Sequence, residues 1–208
     1  KCIISLAPEV ERNQRFIPGL RKNSMVVAIG HSDATYEEAL KSFTRGISHA
    51  SHLFNAMRGF HHREPGVVGA VLDSEKVTAE LIADGVHVHP AALRLAVARK
   101  GVQNICLITD SIMAAGAGNG VYRWGEREIE VKGRLVTIRG TDTLAGSVLT
   151  LNRAVKNMID WTGISISQAV CMASLNPARV LGLEKRIGRR IIIVSSVDFH
   201  LEQFEIRI

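Results

Sequence analysis

Histidines are concentrated in one part of this 208-residue sequence. The chain has 8 of them, and all except His200 lie between positions 31 and 89. Imidazole is the commonest protein ligand for zinc-like metals, and its charge changes near neutral pH. A lone histidine is more often a surface or core residue that hydrogen-bonds to the backbone. The clustering therefore indicates a metal or acid-base site.

Two pairs of histidines are candidate metal ligands. His87 and His89 are alternate residues, and alternate residues of a strand point to the same side. His31 follows the run MVVAIG and His52 follows GISHAS, so these two come at the ends of successive predicted strands, where both imidazoles could reach one ion. Either pair would leave a divalent cation short of ligands and of negative charge, so a carboxylate from elsewhere is required.

A carboxylate and a guanidinium are further candidates for chemistry. Asp110 ends the run NICLITD, and a carboxylate beside an activated water can take its proton and return it to a leaving amine. Such an aspartate often caps a following helix, but a glycine-rich segment follows here. Arg63 could bind a phosphate through two parallel hydrogen bonds, or pair with Glu64 at the surface. Spacing alone does not decide this.

Short apolar runs, most of which end in polar residues, must position these side chains. Continuous apolar strands are typical of a parallel sheet that is buried on both faces. Helices are predicted between them at 36–45, with Thr35 as a possible N-cap, and at 91–100, between Pro90 and Gly101. Reactive side chains just past the strands are typical of a (β/α) barrel, whose active site lies at the C-terminal face. The predicted strands lie within 2–7, 25–29, 46–53, 79–83 and 105–108.

The remaining segments complete the predicted fold. A closed barrel has eight strands, so about three N-terminal β/α units are expected outside these residues. Gly125 and Gly133 separate strand-like runs at 121–140, which predicts a β-hairpin insertion. Helices are predicted at 149–161 and 166–173, the second after a Ser165 cap, and two strands of a separate small sheet at 191–194 and 204–208.

Composition excludes several classes of function. The chain is 46% hydrophobic and 22% charged, which is typical of a globular protein, and no apolar run reaches the roughly 18 residues of a membrane span. A soluble, intracellular protein that does not bind membranes is expected. Cys2, Cys106 and Cys171 lie in apolar surroundings and are interpreted as buried hydrophobes of a reducing compartment. The net charge of +6 is scattered and aromatics are only 5%, so no nucleic-acid partner is expected.

Motifs spread along nearly the whole chain resemble one known family, the N-acetylglucosamine-6-phosphate deacetylases of the amidohydrolase superfamily. They occur in the family's order, and HLFNAM followed by HHREPG is highly specific. The matching segments are LAPE (6–9), GHSDATYEEA (30–39), SHASHLFNAM (48–57), HHREPGVVGA (61–70), LIADGVHVHP (81–90), LITDSIMAAG (107–116), TLAGSVLTL (143–151) and SLNPARVLGLEKRIG (174–188).

The resemblance implies a role for each matching residue. It makes His31 and His52 the metal ligands, in place of the His87 and His89 pair, and Asp110 the catalytic acid and base. The glutamate that completes the family's metal site is expected before Lys1, and Glu9 is not that residue. The implied substrate contacts are Asn55, Ala56 and Arg63 for the 6-phosphate, partly through backbone amides, His87 for the sugar, and Leu144, Ala145 and Gly146 for the pocket wall.

The expected protein is an α/β enzyme with a partial (β/α)8 barrel of the amidohydrolase type. Residues 1–188 are assigned to the barrel, with the insertion at 121–140, and 189–208 to a remnant of a small β-domain. The resemblance implies hydrolysis of N-acetylglucosamine 6-phosphate to glucosamine 6-phosphate and acetate, with zinc, or iron, manganese or cobalt, as the divalent cofactor. It also implies a cytoplasmic homodimer. Two alternatives stay open: a related amidohydrolase for another N-acyl substrate, and a phosphosugar-binding protein without turnover.

Overall fold

Five parallel strands form the main sheet, in the spatial order β1-β2-β3-β4-β5, which is also their order along the chain. The computed structural model describes residues 2–183 and two short strands at 192–194 and 205–207. Helices connect the parallel strands, so the arrangement is that of consecutive β/α units of a barrel. The strands are β1 (Ile3–Leu6), β2 (Val26–Ile29), β3 (His49–Ala50), β4 (Thr78–Ile82) and β5 (Ile105–Ile108).

The helices begin and end where local sequence signals place them. Thr35 and Glu38 form a reciprocal capping box at the start of α3, and Ser165 and Gln168 form another at the start of α7. Gly163 ends α6 in the left-handed conformation, with a φ of 73°. The helices are α1 (Glu11–Gln14), α2 (Ile17–Lys22), α3 (Tyr36–Arg45), α4 (Gly66–Asp73), α5 (Pro90–Lys100), α6 (Leu151–Thr162), α7 (Ile166–Ala173) and α8 (Leu175–Val180).

One buried core joins the sheet to its helices. Strand residues such as Ile29, Leu81 and Ile105 are fully buried, and they belong to the same apolar cluster as Met158 and Met172 from α6 and α7. The predicted continuous burial of the parallel strands is confirmed for the apolar residues of β4 and for the first three residues of β5, whereas Ile108 at the end of β5 is half-buried. Burial on both faces holds the carboxyl ends of the strands together at one edge.

The insertion after β5 has one strand more than the predicted hairpin. Strands β6 (Gly120–Trp124), β7 (Arg127–Lys132) and β8 (Leu135–Ile138) form an antiparallel sheet with its own small core, which includes Ile129 and Val136. Gly125 and Gly133 each have a φ near 60° and each make a turn. Two turns connect three strands, so the hairpin prediction was wrong in its strand count.

The C-terminal strands and one cysteine complete the comparison with the predicted fold. Strands β9 (Ile192–Val194) and β10 (Glu205–Arg207) pair antiparallel as a separate two-stranded sheet, as expected. The predicted domain boundary at 188/189 lies outside the described residues. Cys2 is exposed rather than buried, because it precedes a strand at the edge of the main sheet. Cys106 is buried, and burial together with the charge of Glu80 raises the pKa of its thiol to about 12.

No helix among the described residues is both long enough and apolar enough to cross a membrane.

Candidate active site

A cavity of about 870 Å³ lies at the carboxyl ends of the parallel strands. It is bounded by the loops after β2 to β5 and by residues of the antiparallel insertion, among them Trp124, Arg127 and Ile138. Every predicted site residue except Arg63 lines it. These residues are His31, His52, Asn55, Ala56, His87, Asp110, Leu144, Ala145 and Gly146.

The imidazoles of His31 and His52 lie next to each other in the wall of the cavity, with their Nε2 atoms facing. Their Nε2 atoms are 3.0 Å apart, and the rings meet edge to face with centroids 4.7 Å apart. The His52 Nδ1–H group donates to the carbonyl oxygen of Asn55 at 3.1 Å. A carbonyl only accepts, so in the neutral imidazole the proton is on Nδ1 and the Nε2 lone pair points toward His31.

This pair of nitrogens fits one divalent metal ion. Two imidazole ligands on a tetrahedral ion, each about 2.0–2.1 Å from it, would lie about 3.3 Å apart. The Nε2 separation of 3.0 Å is close to that value. A hydrogen bond from the other ring nitrogen to a carbonyl is the usual way to orient a metal-binding histidine, and His52 has one. Within residues 2–183, no group of three or more histidine, cysteine or acidic side chains could hold a metal by itself.

Both histidines have strained backbone conformations that neighbouring glutamates hold in place. The φ angle is 50° at His31 and 32° at His52, a region that non-glycine residues adopt at a cost of about 1–3 kcal/mol. Glu9 anchors the His31 loop: its carboxylate accepts from Ser32 Oγ and from the Asp33 amide, each at 2.7 Å. Glu9 therefore positions the loop that carries His31.

Glu80 holds the loop that carries His52. One carboxylate oxygen accepts from the His52 amide at 3.2 Å, and the other contacts Nε2 of the buried His49 at 3.0 Å. Nδ1 of His49 lies 2.6 Å from the Thr78 hydroxyl. Sequence reasoning missed this network. The only sequence feature that could have predicted it is the alternation of the polar residues Thr78 and Glu80 with apolar residues in a strand that is otherwise suited to burial.

Replacing Glu80 with glutamine is expected to destabilise the fold by about 1–3 kcal/mol, because it removes a charged acceptor shared by the His52 amide and the buried His49, and the amide keeps both contacts only if His49 changes its tautomer. Urea unfolding of the two proteins measures the difference. Glu128→Gln is the matched control, since Glu128 forms an exposed ion pair with Arg139 and its replacement should change stability by less than about 0.5 kcal/mol. Equal stability changes in the two variants would contradict a clamping role for Glu80.

Asp110 occupies the end of β5 without capping a helix. Its φ is 48°, and its carbonyl oxygen accepts from the Ser147 amide at 2.9 Å, which connects it to the 144–146 turn. The residue is exposed, and its carboxylate has no hydrogen-bond partner among the described residues. A turn rather than a helix follows, so the capping alternative was wrong. The carboxylate is available to a bound molecule in the cavity.

The predicted phosphate contacts are not all brought together. Arg63 is exposed outside the cavity, where Nη1 lies 2.8 Å from His62 Nε2. Its alternative pairing with Glu64 is also absent among the described residues, where Glu64 Oε1 accepts the amides of Tyr36 and Gly66.

The two backbone amides that were predicted to contact phosphate differ in availability. The Asn55 amide already donates to the His52 carbonyl at 2.9 Å. The Ala56 amide has no acceptor among the described residues, and Ala56 has a φ of 48° within the exposed loop. Of the two, only the Ala56 N–H is free for a ligand.

The remaining histidines have separate surroundings. His87 lines the cavity, and its ring contacts the carboxylate of the buried Asp84. His89 does not line the cavity; its Nδ1 accepts from the Ala91 amide and caps α5. The structure therefore separates His87 from His89, as the resemblance implied and the simple strand alternation did not.

Comparison with known proteins places the chain among relatives of known activity. A sequence profile described as "Amidohydrolase family" matches residues 21–189. The N-acetylglucosamine-6-phosphate deacetylase of Rattus norvegicus is 41% identical over 192 residues, which are 90% of this chain and 47% of that protein. The N-acetylgalactosamine-6-phosphate deacetylase of Escherichia coli O157:H7 is 38% identical over 211 residues, covering 99% of this chain and 55% of that protein.

A solved structure agrees with the sequence comparison. It is a mutant N-acetyl-D-glucosamine-6-phosphate deacetylase from Mycobacterium smegmatis in complex with N-acetyl-D-glucosamine-6-phosphate. The TM-score is 0.83 at 38% identity, over 86% of this chain and 48% of that one. The chain thus spans about half the length of the curated relatives it matches.

Proposed function

This chain belongs to the amidohydrolase family, and from that premise we propose that it carries the active site of an N-acetylglucosamine-6-phosphate deacetylase. One observation supports the proposal most directly: a single cavity combines the facing Nε2 atoms of His31 and His52 with the exposed carboxylate of Asp110. Relatives with this activity in their names are about 40% identical to the chain. The reaction is hydrolysis of an acetamide to acetate and glucosamine 6-phosphate.

His31 and His52 would hold a divalent ion, with zinc as the first choice and iron, manganese or cobalt as alternatives. When bound, the ion acts as a Lewis acid toward the amide carbonyl and lowers the pKa of water. The glutamate that the resemblance implies would complete its ligand set. Metal content of the purified protein, measured by mass spectrometry, identifies the ion.

Asp110 moves the proton in the proposed reaction. Its carboxylate accepts a proton from water as the water oxygen bonds to the acetamide carbon. The carbon–nitrogen bond then breaks, and Asp110 returns the proton to the departing sugar nitrogen. The exposed carboxylate suits this role, because within the part of the chain that the structure describes it has no hydrogen bond to break before it acts.

The other cavity residues bind and orient the substrate. His87 contacts the sugar, and Leu144, Ala145 and Gly146 form the wall beside Asp110, to which the turn is hydrogen-bonded through Ser147. The Ala56 amide binds the 6-phosphate from the cavity wall, with Asn55 beside it, and the Arg63 guanidinium binds it from the exposed loop outside the cavity. Binding energy at this remote group orients the acetamide toward Asp110.

The test is release of acetate from N-acetylglucosamine 6-phosphate by metal-loaded protein. The 4-epimer, N-acetylgalactosamine 6-phosphate, is a second candidate substrate, because a relative named for that substrate matches 99% of this chain. A higher kcat/KM for N-acetylgalactosamine 6-phosphate would assign that compound as the substrate in place of N-acetylglucosamine 6-phosphate. Tight binding of both phosphosugars without acetate release would favour a binding protein, and turnover of unphosphorylated N-acyl substrates alone would favour another amidohydrolase activity.

Arg63→Ala is expected to weaken binding of the phosphorylated sugar by about tenfold or more and leave N-acetylglucosamine unaffected, because charge-assisted hydrogen bonds to phosphate are lost only when phosphate is present. Arg63→Lys should restore part of the loss, since an ammonium lacks the two-pronged geometry. Inhibition or calorimetric titration with both sugars measures the difference. Equal losses for the two sugars would indicate a structural role.

We also propose a cytoplasmic homodimer in which 1–188 form the catalytic domain and 189–208 belong to a small β-domain. The three cysteines are unpaired, which fits a reducing compartment. Light scattering of the purified protein measures the number of subunits.

A further inference from the structure

A buried aspartate holds the ring of His87 at the edge of the cavity. Asp84 follows β4 directly, and one of its carboxylate oxygens lies 2.7 Å from His87 Nδ1. The other oxygen accepts the amides of Val86 and His87, both at 2.8 Å. The side chains of Asp84 and His87 are only 4% and 6% exposed. Both carboxylate oxygens are therefore committed to this one short loop.

The charge on Asp84 determines which ring nitrogen carries the proton. Burial disfavours the ionised carboxylate, but the hydrogen bonds from the His87 ring and from the two amides outweigh it, so the pKa of Asp84 is below its ordinary value. An ionised carboxylate only accepts hydrogen bonds, so His87 must donate from Nδ1. In the neutral imidazole, Nε2 is then unprotonated.

The free nitrogen of His87 is accessible to a ligand. Nε2 has no hydrogen-bond partner among the described residues. In that part of the chain, every side-chain nitrogen or oxygen that is fully buried does have a partner, so Nε2 is not fully buried. Nε2 is therefore open to the cavity that His87 lines.

Other elements keep this loop in place. Arg134 of the insertion donates to the Asp84 carbonyl at 3.2 Å, and Asn157 of α6 donates to the Ala83 carbonyl at 2.7 Å. Gly85 has a φ of 75°, and a Cβ there would lie 3.1 Å from the ring of Trp161. The dyad is thus held from the insertion, from α6 and by its own turn.

We infer that Asp84 is a positioning residue, which fixes His87 with its proton on Nδ1 and presents Nε2 as a hydrogen-bond acceptor to a hydroxyl group of the substrate. This inference rests on the proposed function for the identity of the substrate, but the tautomer of His87 does not depend on it. A sugar is rich in hydroxyl donors, so an acceptor at this point favours a polyol over an apolar N-acyl compound.

Asp84→Asn is the decisive variant, because an amide can keep accepting the two backbone N–H groups only by turning its NH₂ toward His87. The ring should then adopt the opposite tautomer, with its proton on Nε2. Nitrogen-15 NMR of histidine-labelled protein, with His87 assigned by mutation, distinguishes the two forms. In the metal-loaded enzyme, KM for N-acetylglucosamine 6-phosphate should rise about tenfold or more, while kcat changes much less.

Asp160→Asn is the matched control, because Asp160 forms an exposed i,i+4 pair with Lys156 on α6; it should keep both the tautomer and KM. A wild-type spectrum with the proton on Nε2 overturns the inference, and this measurement does not require the variant to fold. A folded Asp84→Asn protein with unchanged tautomer and KM overturns it as well. If acetate is never released but the tautomer changes as expected, the proposed function fails and the positioning role of Asp84 stands.

Discussion

Replacing Asp110 with asparagine is expected to reduce turnover by roughly 10²–10⁴-fold, while metal and substrate binding stay nearly normal. An amide can neither accept the proton of the attacking water nor deliver one to the departing nitrogen. Asparagine has nearly the same size, and the Asp110 carbonyl that accepts from Ser147 is retained, so the loop should keep its conformation. Acetate release at saturating substrate, together with metal content and KM, measures the separate effects.

Asp142→Asn is the control for this experiment. Asp142 is exposed in the loop that follows β8, and it does not line the active-site cavity. Its replacement should leave kcat within about twofold, since substitutions of exposed side chains that make no contact in the site usually have small effects. Turnover of Asp110→Asn within about tenfold of wild type at full metal occupancy would remove Asp110 from the proton-transfer role, because acid-base catalysis is typically worth at least about 10².

His31→Ala and His52→Ala are each expected to abolish metal retention and, with it, activity. Each variant removes one of two Nε2 atoms that face each other at 3.0 Å. Within the described residues no third histidine, cysteine or acidic side chain lies close enough to form a ligand group with them. Metal per protein chain after gel filtration measures retention independently of turnover.

His89→Ala is the matched control, because His89 ends a neighbouring segment but only caps α5. It should retain metal and activity, with a stability loss of about 0.5–2 kcal/mol from the missing cap. Loss of metal in this variant would make His89 a candidate metal ligand again. Full metal occupancy with near-normal turnover in His31→Ala or His52→Ala would exclude that histidine from the metal site.

Local sequence patterns were sufficient to predict the elements and the ends of strands where the chemistry lies. The apolar runs predicted all five parallel strands, because a strand buried on both faces has apolar residues in succession. Parallel strands in sequential order share one carboxyl edge, so His31, His52 and Asp110 could be expected together from their positions after β2, β3 and β5. Capping signals such as Thr35 and Ser165 also act within a few residues, and both were confirmed.

The tertiary structure decided which polar side chains support those residues. Glu9 binds the loop after His31 across 23 positions, and Glu80 binds the His52 amide across 28 positions. Such contacts depend on which residues of neighbouring strands are paired, for example His49 with Thr78, and this pairing joins segments that lie far apart in the sequence. They also depend on positive φ angles at non-glycine residues, which local propensity disfavours.

The same distinction explains the predictions that were wrong or incomplete. The place of Arg63 outside the cavity depends on how its loop is held, with Glu64 accepting the Tyr36 amide from the start of α3. The sequence by itself determined the strands, the helix caps and the chemical groups at the strand ends, because short-range periodicity and hydrogen bonding encode them. Only the tertiary structure determined how the loops of His52 and His87 are held in place. Glu80 accepts the His52 amide from β4, and Arg134 and Asn157 donate to the Asp84 and Ala83 carbonyls from the insertion and from α6.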